Sequence, residues 1–275
     1  MSRTSAIQIQ NKKHQGQKLS LVTCYDSTFA KLVDQSAIDA VLIGDSLGMV
    51  VKGDQHTLNV TLDEMIYHCR AVARGSQRVH LIGDMPFGSY QVSTEKALEN
   101  AIRLVKEGGV QSIKLEGGAQ YAHLIEKLTK IGIPVMGHLG LTPQSYHQFG
   151  GYKLQGKTEV EAQTIIDDAL ALEQAGAFAI VLEGIPANVA QRCTDQLSIP
   201  TIGIGAGMHC DGQILVIYDL LGLDEKFHPK FLKKYENFSS KTISALNQYV
   251  SEVQSTQFPN MTHSTIIDFN HNDPS

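Results

Sequence analysis

The chain has 275 residues, of which 42% are hydrophobic and 19% charged, and this is enough to bury the core of one large domain. Its 23 basic and 28 acidic residues give a formal net charge of -5, and no stripe of basic residues favours a nucleic-acid or anionic-membrane partner. No apolar run is long enough to cross a membrane, and the first residues lack the apolar core of a secretion signal. The four cysteines, Cys24, Cys69, Cys193 and Cys210, have no CxxC spacing, so a cytoplasmic protein with reduced thiols is expected.

Eight apolar runs of strand length recur along the chain, with helix-patterned segments between them. They are LSLVTC (19–24), AVLIGD (40–45), VHLIGD (79–84), QSIKLE (111–116), PVMGH (134–138), FAIVLE (178–183), TIGIG (201–205) and ILVIY (214–218). Such runs are typical of parallel strands that are covered on both faces. From Leu19 to Tyr218 there are 200 residues, or 25 per unit, so the sequence predicts an α/β protein with a (β/α)8 TIM barrel. An open doubly wound sheet is the alternative architecture.

Helices are predicted between these strands from their capping residues and apolar spacing. Thr61 and Glu64 have the spacing of a capping box and begin a helix that is expected to run to Gly75. Another helix follows Ser93-Thr94 and is expected to end at Gly108-Gly109. The glycines are interpreted as helix ends that let the chain turn back into the next strand.

An added C-terminal helix is predicted beyond the barrel, at about residues 229–254, where FLKKYENFSSKTISALNQYVSEV (231–253) is typical of a helix. From about residue 258 to residue 275 the chain is polar and rich in Asn, His and Asp, which indicates a loose tail. Since the sequence contains no separate linker, a single domain over residues 1–275 is expected, with barrel strands at about 19–218.

Two predicted connections are longer than a barrel requires. They are SLGMVVKGDQHTLNV after the second strand and LGLTPQSYHQFGGYKLQG after the fifth. Long loops at the carboxyl-terminal ends of barrel strands usually carry function or act as lids. The sequence therefore predicts functional loops at these two places.

Four of the predicted strands end in an acidic residue: Asp45, Asp84, Glu116 and Glu183. Since the carboxyl-terminal ends of barrel strands converge on one mouth, these four carboxylates are expected to face a common pocket. An aspartate at a strand end can instead cap the next helix, and for Asp45 alone that alternative stays open. Four carboxylates in one pocket repel one another, and a bound divalent cation is the simplest way to offset this repulsion. Ligands that are all oxygen, without a cysteine or histidine cluster, favour Mg²⁺.

Lys114 and His138 are further candidates at the same mouth. Lys114 lies two residues before Glu116, so the strand period places both side chains in the barrel interior. It is predicted to hold a substrate carboxylate or an oxyanion, with a structural ion pair as the alternative. His138 ends the predicted fifth strand as a catalytic candidate or a hydrogen-bonded core residue. GIGAG (203–207) favours a tight turn over a phosphate site.

The sequence resembles the ketopantoate hydroxymethyltransferase family from about residue 19 to about residue 259. The motifs that carry the resemblance include VLIGDSLGMVVKG, GDMPFGSY, IKLEGG, VLEGIP and, most specifically, PVMGHLGLTPQSYHQFGGYKLQGK. The resemblance implies a barrel of the phosphoenolpyruvate/pyruvate type and a cytoplasmic homodecamer. It also implies metal contacts at Asp45, Asp84 and Glu116, keto-acid contacts at Asp45, Ser46, Asp84 and Lys114, and a catalytic base at Glu183. The polar extension after residue 259 has no role in the resemblance.

The implied reaction is hydroxymethyl transfer from 5,10-methylenetetrahydrofolate to 3-methyl-2-oxobutanoate. A bound Mg²⁺ would polarise the 2-oxo group, and Glu183 would remove the C3 proton as general base. The enolate would attack the methylene group and give 2-dehydropantoate and tetrahydrofolate. Lys114 and Ser46 would orient the keto acid and offset the charge of the enolate, and His138 is kept as a catalytic candidate. The folate is expected to enter over the two long loops.

Two other functions are alternatives to this one. A Mg²⁺-dependent C–C lyase or phosphonomutase of the same barrel superfamily would share the strand-end acids and the enolate chemistry. Such enzymes usually offer a catalytic cysteine or several arginines, and the predicted strand ends offer neither. A non-enzymatic keto-acid sensor is the third possibility, but binding alone would not require a base at Glu183.

Overall fold

The computed structural model describes residues 3–267, which include a closed barrel of eight parallel strands in chain order. The strands are β1 (Leu19–Thr23), β2 (Ala40–Ile43), β3 (His80–Asp84), β4 (Ser112–Lys114), β5 (Val135–Gly140), β6 (Ala179–Glu183), β7 (Thr201–Ile204) and β8 (Gly212–Leu215). Because β8 pairs with β1, the sheet has no free edge. The predicted (β/α)8 barrel is confirmed, and the open sheet is excluded.

Helices lie before, between and after the strands. They are α1 (Ala6–His14), α2 (Ser27–Gln35), α3 (Leu47–Val50), α4 (Leu62–Gly75), α5 (Thr94–Arg103), α6 (Ala122–Lys130), α7 (Tyr146–Phe149), α8 (Glu159–Gln174), α9 (Ala187–Gln196), α10 (Ile217–Leu220) and α11 (Phe238–Gln254). The capping box predicted for α4 is confirmed, because Thr61 and Glu64 bond each other's backbone N–H groups. A π-helical turn, Leu104–Gly108, extends α5.

Two glycines predicted to end helices have different roles. Gly109 follows the π-helical turn with a φ of 76°, a left-handed conformation that glycine adopts without steric cost, so that prediction is confirmed. Gly75 is instead the last residue of α4, and Ser76 follows it as the C-cap. A β-carbon at Gly75 would lie 2.4 Å from the carbonyl oxygen of Ser27 in α2. Gly75 is therefore needed for the close approach of α2 and α4.

Helix α1, which has no counterpart among the predicted helices, closes the amino-terminal end of the barrel. Its Ile9 is 1% exposed and belongs to the buried core cluster. The other members are Leu19, Leu21, Ala40, Leu42, Ile82, Met136, Phe178, Ala179, Val181, Ile202 and Ile214. Several of these are the first residues of their strands, so α1 packs on the end of the barrel opposite to the predicted acids.

The predicted C-terminal helix is shorter than expected. It begins at Phe238, so the predicted start at about residue 229 was wrong. The Asn237 side chain accepts a hydrogen bond of 3.1 Å from the backbone N–H of Ser240 and so caps the helix at this point. The eighth strand was also displaced in the prediction, because residues 217–220 form α10. The backbone N–H of Ile217 donates to the side-chain hydroxyl of Thr23 in β1 and not to a backbone carbonyl of that strand.

The described residues divide into two compact units. The first contains the barrel up to Ile217 together with Pro229–Leu232, and the second contains Tyr218–His228 and continues from Lys233. The organisation as one domain over residues 1–275 stays a prediction. Within the second unit, α11 exposes five large apolar side chains, Ile243, Leu246, Tyr249, Val250 and Val253.

The predicted loose tail is described only in part. Residues 258–267 include a short 3-10 helix, Met261–His263, and residues 268–275 lie outside the described residues. Across residues 3–267, no helix combines the length and the apolar character that a membrane span requires.

We expect His80 in β3 to make the stability of the protein depend on pH. Its Nδ1 lies 2.9 Å from the carbonyl oxygen of Thr4 and its Nε2 lies 2.8 Å from the Ser112 hydroxyl. Burial lowers the pKa of His80 to about 4, because the charged imidazolium is disfavoured away from water. The unfolded chain therefore takes up a proton at a higher pH than the folded chain does. This contribution to stability is complete above the unfolded pKa and is lost as the pH falls towards the folded pKa.

Urea unfolding of the wild type and of His80→Asn at a series of pH values measures this effect. The free-energy difference between the two proteins should narrow by about 3 kcal/mol between roughly pH 7 and roughly pH 4. A constant difference over that range would contradict the assignment of a neutral, buried His80.

Candidate active site

Lys114 lies at the centre of a buried group of carboxylates at the carboxyl-terminal end of the barrel. Its Nζ is 3.0 Å from Asp84 Oδ2 and 3.1 Å from Glu116 Oε1. The backbone N–H of Asp45 donates to the same Asp84 oxygen at 3.2 Å. All four residues are at most 3% exposed. Three of the four strand-end acids and Lys114 thus form one connected group.

The strand register explains why these side chains meet. Asp84, the last residue of β3, is in register with Lys114, the last residue of β4. Residues in register on neighbouring strands point to the same face of the sheet, here the barrel interior. Asp45 and Glu116 each lie two residues beyond the end of their strands, so loop conformation as well as register places their carboxylates.

His138 connects Glu183 to this group. Its Nε2 lies 3.2 Å from Glu183 Oε2, and its Nδ1 lies 3.5 Å from Glu116 Oε1. The prediction that His138 ends the fifth strand was wrong, since β5 continues to Gly140, which is in register with Glu183. Burial and the charge of Lys114 lower the pKa of His138, but the two carboxylates outweigh them and raise it to about 9. Both ring nitrogens of His138 thus face carboxylate oxygens at ion-pair distance.

Burial and mutual repulsion determine the charge of the other acids. Burial, reinforced by the charge of Asp84, raises the pKa of Asp45 well above its usual range, and burial also raises the pKa of Asp84. Burial alone would raise the pKa of Glu116, but Lys114 and His138 lower it to about 2. The surrounding carboxylates keep the pKa of Lys114 well above its usual range despite burial, which lowers it. The centre of the site thus holds a permanent cation.

Ser46 follows Asp45 and precedes α3. Its hydroxyl lies 2.9 Å from the hydroxyl of Tyr25, a buried residue just beyond β1. The predicted keto-acid contact is thus placed beside the acids by the turn that leads from β2 into α3. The hydrogen bond to Tyr25, which follows β1, orients the Ser46 hydroxyl.

Gln144 and Tyr90 are two buried polar residues that were not among the predicted site residues. The Gln144 side chain donates to Asp45 Oδ2 at 2.9 Å, and its backbone N–H donates to Glu116 Oε2 at 2.9 Å. The Tyr90 hydroxyl accepts from the backbone N–H of Glu116 at 3.1 Å. The available signal for Gln144 was its place in the long loop after the fifth strand, but that loop offers several polar residues and no spacing that selects one.

The two long loops contact each other through aromatic side chains. The rings of His56 and Tyr146 lie 5.7 Å apart, and those of Tyr146 and Tyr152 lie 5.1 Å apart. The Tyr152 hydroxyl donates to Met49 Sδ at 3.1 Å, and so reaches the helix that follows Ser46. Burial and the nearby charges of Asp45 and Glu183 raise the pKa of Tyr152 to about 12. The loops thus bring aromatic rings close to the acids.

The acids fit a divalent cation by their donor chemistry. Asp84 Oδ1 is buried and has no hydrogen-bond partner in the described part of the chain. Asp45, Asp84 and Glu116 offer only oxygen atoms, which suit Mg²⁺. Within residues 3–267 no three His, Cys, Asp or Glu side chains form a ready-made metal site. Lys114, which contacts both Asp84 and Glu116, separates these acids.

The glycine-rich segment after β7 has the geometry of a tight turn. Gly205 and Gly207 have φ values of 61° and 81°, and a β-carbon at Gly207 would lie 2.4 Å from the β-carbon of Ala187. Such positions require glycine for conformational and steric reasons. The turn interpretation therefore accounts for both residues without a phosphate.

Comparison with known proteins identifies relatives along nearly the whole chain. The family model described as ketopantoate hydroxymethyltransferase matches residues 3–261. A 3-methyl-2-oxobutanoate hydroxymethyltransferase of Pelobacter propionicus is 55% identical over 252 residues, which cover 92% of this chain and 93% of that protein. The enzyme of the same name from Anaeromyxobacter sp. (strain Fw109-5) is 53% identical over 266 residues, covering 95% and 87%.

Solved structures of more distant proteins share the fold. A phosphonopyruvate hydrolase superposes with a TM-score of 0.59 at 12% identity and covers 98% of this chain and 92% of that chain. A 2,3-dimethylmalate lyase, described as a member of the PEP mutase/isocitrate lyase superfamily, superposes with a TM-score of 0.58 at 15% identity, covering 95% and 88%. These similarities agree with the predicted (β/α)8 barrel fold.

Proposed function

Because the chain belongs to the ketopantoate hydroxymethyltransferase family, we propose that it transfers a hydroxymethyl group from 5,10-methylenetetrahydrofolate to 3-methyl-2-oxobutanoate. Together with one water molecule, these substrates give 2-dehydropantoate and tetrahydrofolate. The observation that carries the proposal is the connected group of acids and cations from Asp45 to Glu183 in a chain of this family.

Glu183 is the proposed general base that removes the C3 proton of the keto acid. Its side chain is 22% exposed, whereas those of Asp84 and Glu116 are at most 3% exposed, so it is the acid that can return a proton to water. His138 Nε2 lies 3.2 Å from Glu183 Oε2, so a protonated His138 would pair with the base. Lys114 and the Ser46 hydroxyl orient the keto acid, and the Lys114 ammonium offsets negative charge that develops on the enolate.

Asp45, Asp84 and Glu116 would hold Mg²⁺, and the unpartnered Asp84 Oδ1 is one atom available for this. When bound, Mg²⁺ would withdraw electron density from the 2-oxo group and so make the C3 proton more acidic. For the folate, the aromatic residues of the two long loops offer flat apolar surface beside the acids. A cavity of about 400 Å³, lined in part by Phe87, Tyr121 and His147, also borders Glu116.

Asp84→Asn should weaken metal binding while preserving the fold. The amide oxygen can still accept the hydrogen bond from Asp45 N–H, but the variant loses the negative charge that attracts the cation. We expect the Mg²⁺ affinity, measured by calorimetric titration, to fall by at least about 10-fold. Asp195→Asn, an exposed aspartate on α9, is the matched control and should bind as the wild type does. Unchanged Mg²⁺ affinity and turnover in Asp84→Asn would contradict the ligand assignment.

The activity is tested by incubating the protein with both substrates and Mg²⁺ and measuring tetrahydrofolate formation. Dependence of turnover on the folate separates the proposed transferase from a lyase or phosphonomutase. Exchange of the C3 proton for deuterium in the absence of folate separates an enzyme from a keto-acid sensor, because a sensor would show no exchange. A protein that performs neither reaction would overturn the proposal.

The proposed assembly is a homodecamer in the cytoplasm, as the family resemblance implies. The exposed apolar side chains of α11, 48–59% exposed from Ile243 to Val250, would be covered in an assembly. Light scattering coupled to size-exclusion chromatography measures the mass directly, and a monomeric protein at micromolar concentration would contradict the assembly.

A further inference from the structure

Gln144 connects the buried acids to loops from three different strands. Its side-chain nitrogen donates to Asp45 Oδ2 at 2.9 Å and to the carbonyl oxygen of Met85 at 3.0 Å. Its backbone N–H donates to Glu116 Oε2 at 2.9 Å. A single residue from the loop after β5 therefore restrains two of the acids and the segment that follows β3.

The oxygen of the Gln144 side-chain amide is hydrogen-bonded as well. Its Oε1 accepts hydrogen bonds from the Tyr90 hydroxyl at 2.9 Å and from Gln91 Nε2 at 3.1 Å. The oxygen of Gln91 accepts from the backbone N–H of Gly88 at 2.7 Å, which leaves the Gln91 nitrogen facing Gln144. Both donors of the Gln144 amide are thus satisfied, and its oxygen accepts from Gln91 and competes with the Glu116 carbonyl oxygen, at 3.0 Å, for the single proton of the Tyr90 hydroxyl.

These partners allow one orientation of the amide. A flipped amide would place its oxygen against the Asp45 carboxylate and the Met85 carbonyl, which are both acceptors. It would also place its nitrogen against the amide nitrogen of Gln91. The network therefore directs an N–H group at Asp45.

The acids that Gln144 contacts are the two that the strands do not hold. Asp84 and Glu183 are the last residues of β3 and β6, where strand pairing restrains their backbone. Asp45 and Glu116 lie two residues beyond the ends of β2 and β4, in loop segments. Because strand pairing does not restrain Asp45 and Glu116, the hydrogen bonds from Gln144 orient their carboxylates.

We propose that Gln144 is a positioning residue that holds the Asp45 and Glu116 carboxylates in the orientation in which they bind the divalent cation and the keto acid. The inference rests on the proposed function, because it assumes that these acids are metal ligands. Gln144 itself acts through the acids. Groups that orient the ligands of a metal typically contribute roughly 10- to 100-fold to metal affinity or activity.

The test uses Gln144→Met, which keeps the length of the side chain but removes its hydrogen bonds, and Mn²⁺ as the probe. Calorimetric titration of the full chain should give a Mn²⁺ Kd roughly 10- to 100-fold weaker than that of the wild type. The kcat at saturating Mn²⁺ should also fall, because the acids remain misoriented after the cation has bound. Gln191→Met, an exposed glutamine on α9, is the matched control and should leave both values unchanged.

A second variant guards against misfolding of Gln144→Met. Gln91→Met removes a partner of Gln144 Oε1 and leaves the amide contact to Asp45 in place, so it should weaken Mn²⁺ binding in the same direction but by less. A purely structural role would lower the melting temperature and leave the Mn²⁺ Kd of the folded variants unchanged. That result would overturn the inference. Failure of the wild type to bind Mn²⁺ would instead overturn the proposed metal site, and the inference with it.

Discussion

Replacing Glu183 by glutamine is expected to lower the rate of hydroxymethyl transfer by roughly 10²- to 10⁴-fold, the range typical of a general base. Glutamine keeps the size of the side chain and an oxygen that can face His138 Nε2, which lies 3.2 Å from Glu183 Oε2. It cannot accept the C3 proton at neutral pH. The keto acid should still bind, because Lys114 and Ser46, its proposed contacts, are unchanged.

Exchange of the C3 proton in D₂O measures this step directly, because it requires the base but not the folate. We expect exchange to be lost in Glu183→Gln together with the transfer reaction. Glu99→Gln, which changes an exposed glutamate on α5, should exchange at the wild-type rate. Wild-type exchange in Glu183→Gln would show that another group removes the proton.

Replacing Lys114 by methionine should destabilise the protein by about 3–5 kcal/mol, as expected when one partner of a buried ion pair is removed. The Lys114 ammonium is 3.0 Å from Asp84 Oδ2 and 3.1 Å from Glu116 Oε1, and its side chain is 4% exposed. Methionine fills a similar volume but leaves these carboxylates without their cation. The loss should appear in the free energy of unfolding by urea at neutral pH.

Added Mg²⁺ should raise the melting temperature of Lys114→Met more than that of the wild type. The reason is that the variant has a larger uncompensated negative charge at the proposed metal site. Lys96→Met changes an exposed lysine that pairs with Glu99 at 3.2 Å, and it should alter stability by no more than about 1 kcal/mol. Wild-type stability of Lys114→Met would show that the Lys114 ammonium does not stabilise the Asp84 and Glu116 carboxylates.

The barrel was predictable because its signals are local. Each predicted strand is a largely apolar run of five or six residues, and seven of the eight strands lie within two residues of their predicted bounds. The capping box at Thr61 was equally local, since its partners are three residues apart. The start of the C-terminal helix was wrong because it depends on the cap at Asn237. The residues on both sides of Asn237 are compatible with a helix, so the sequence pattern alone does not mark this start.

The sequence by itself determined the fold class, the family and the strand ends at which the four acids lie. Strand periodicity and the convergence of barrel strands are general rules, so they could be applied without coordinates. Only the tertiary structure decided which side chains meet, because those contacts join distant parts of the chain. Gln144 reaches Asp45 across 99 positions, and His138 meets both Glu116 and Glu183 through the register of three strands. Loop conformation and strand register set these contacts, and neither leaves a periodic pattern in the sequence.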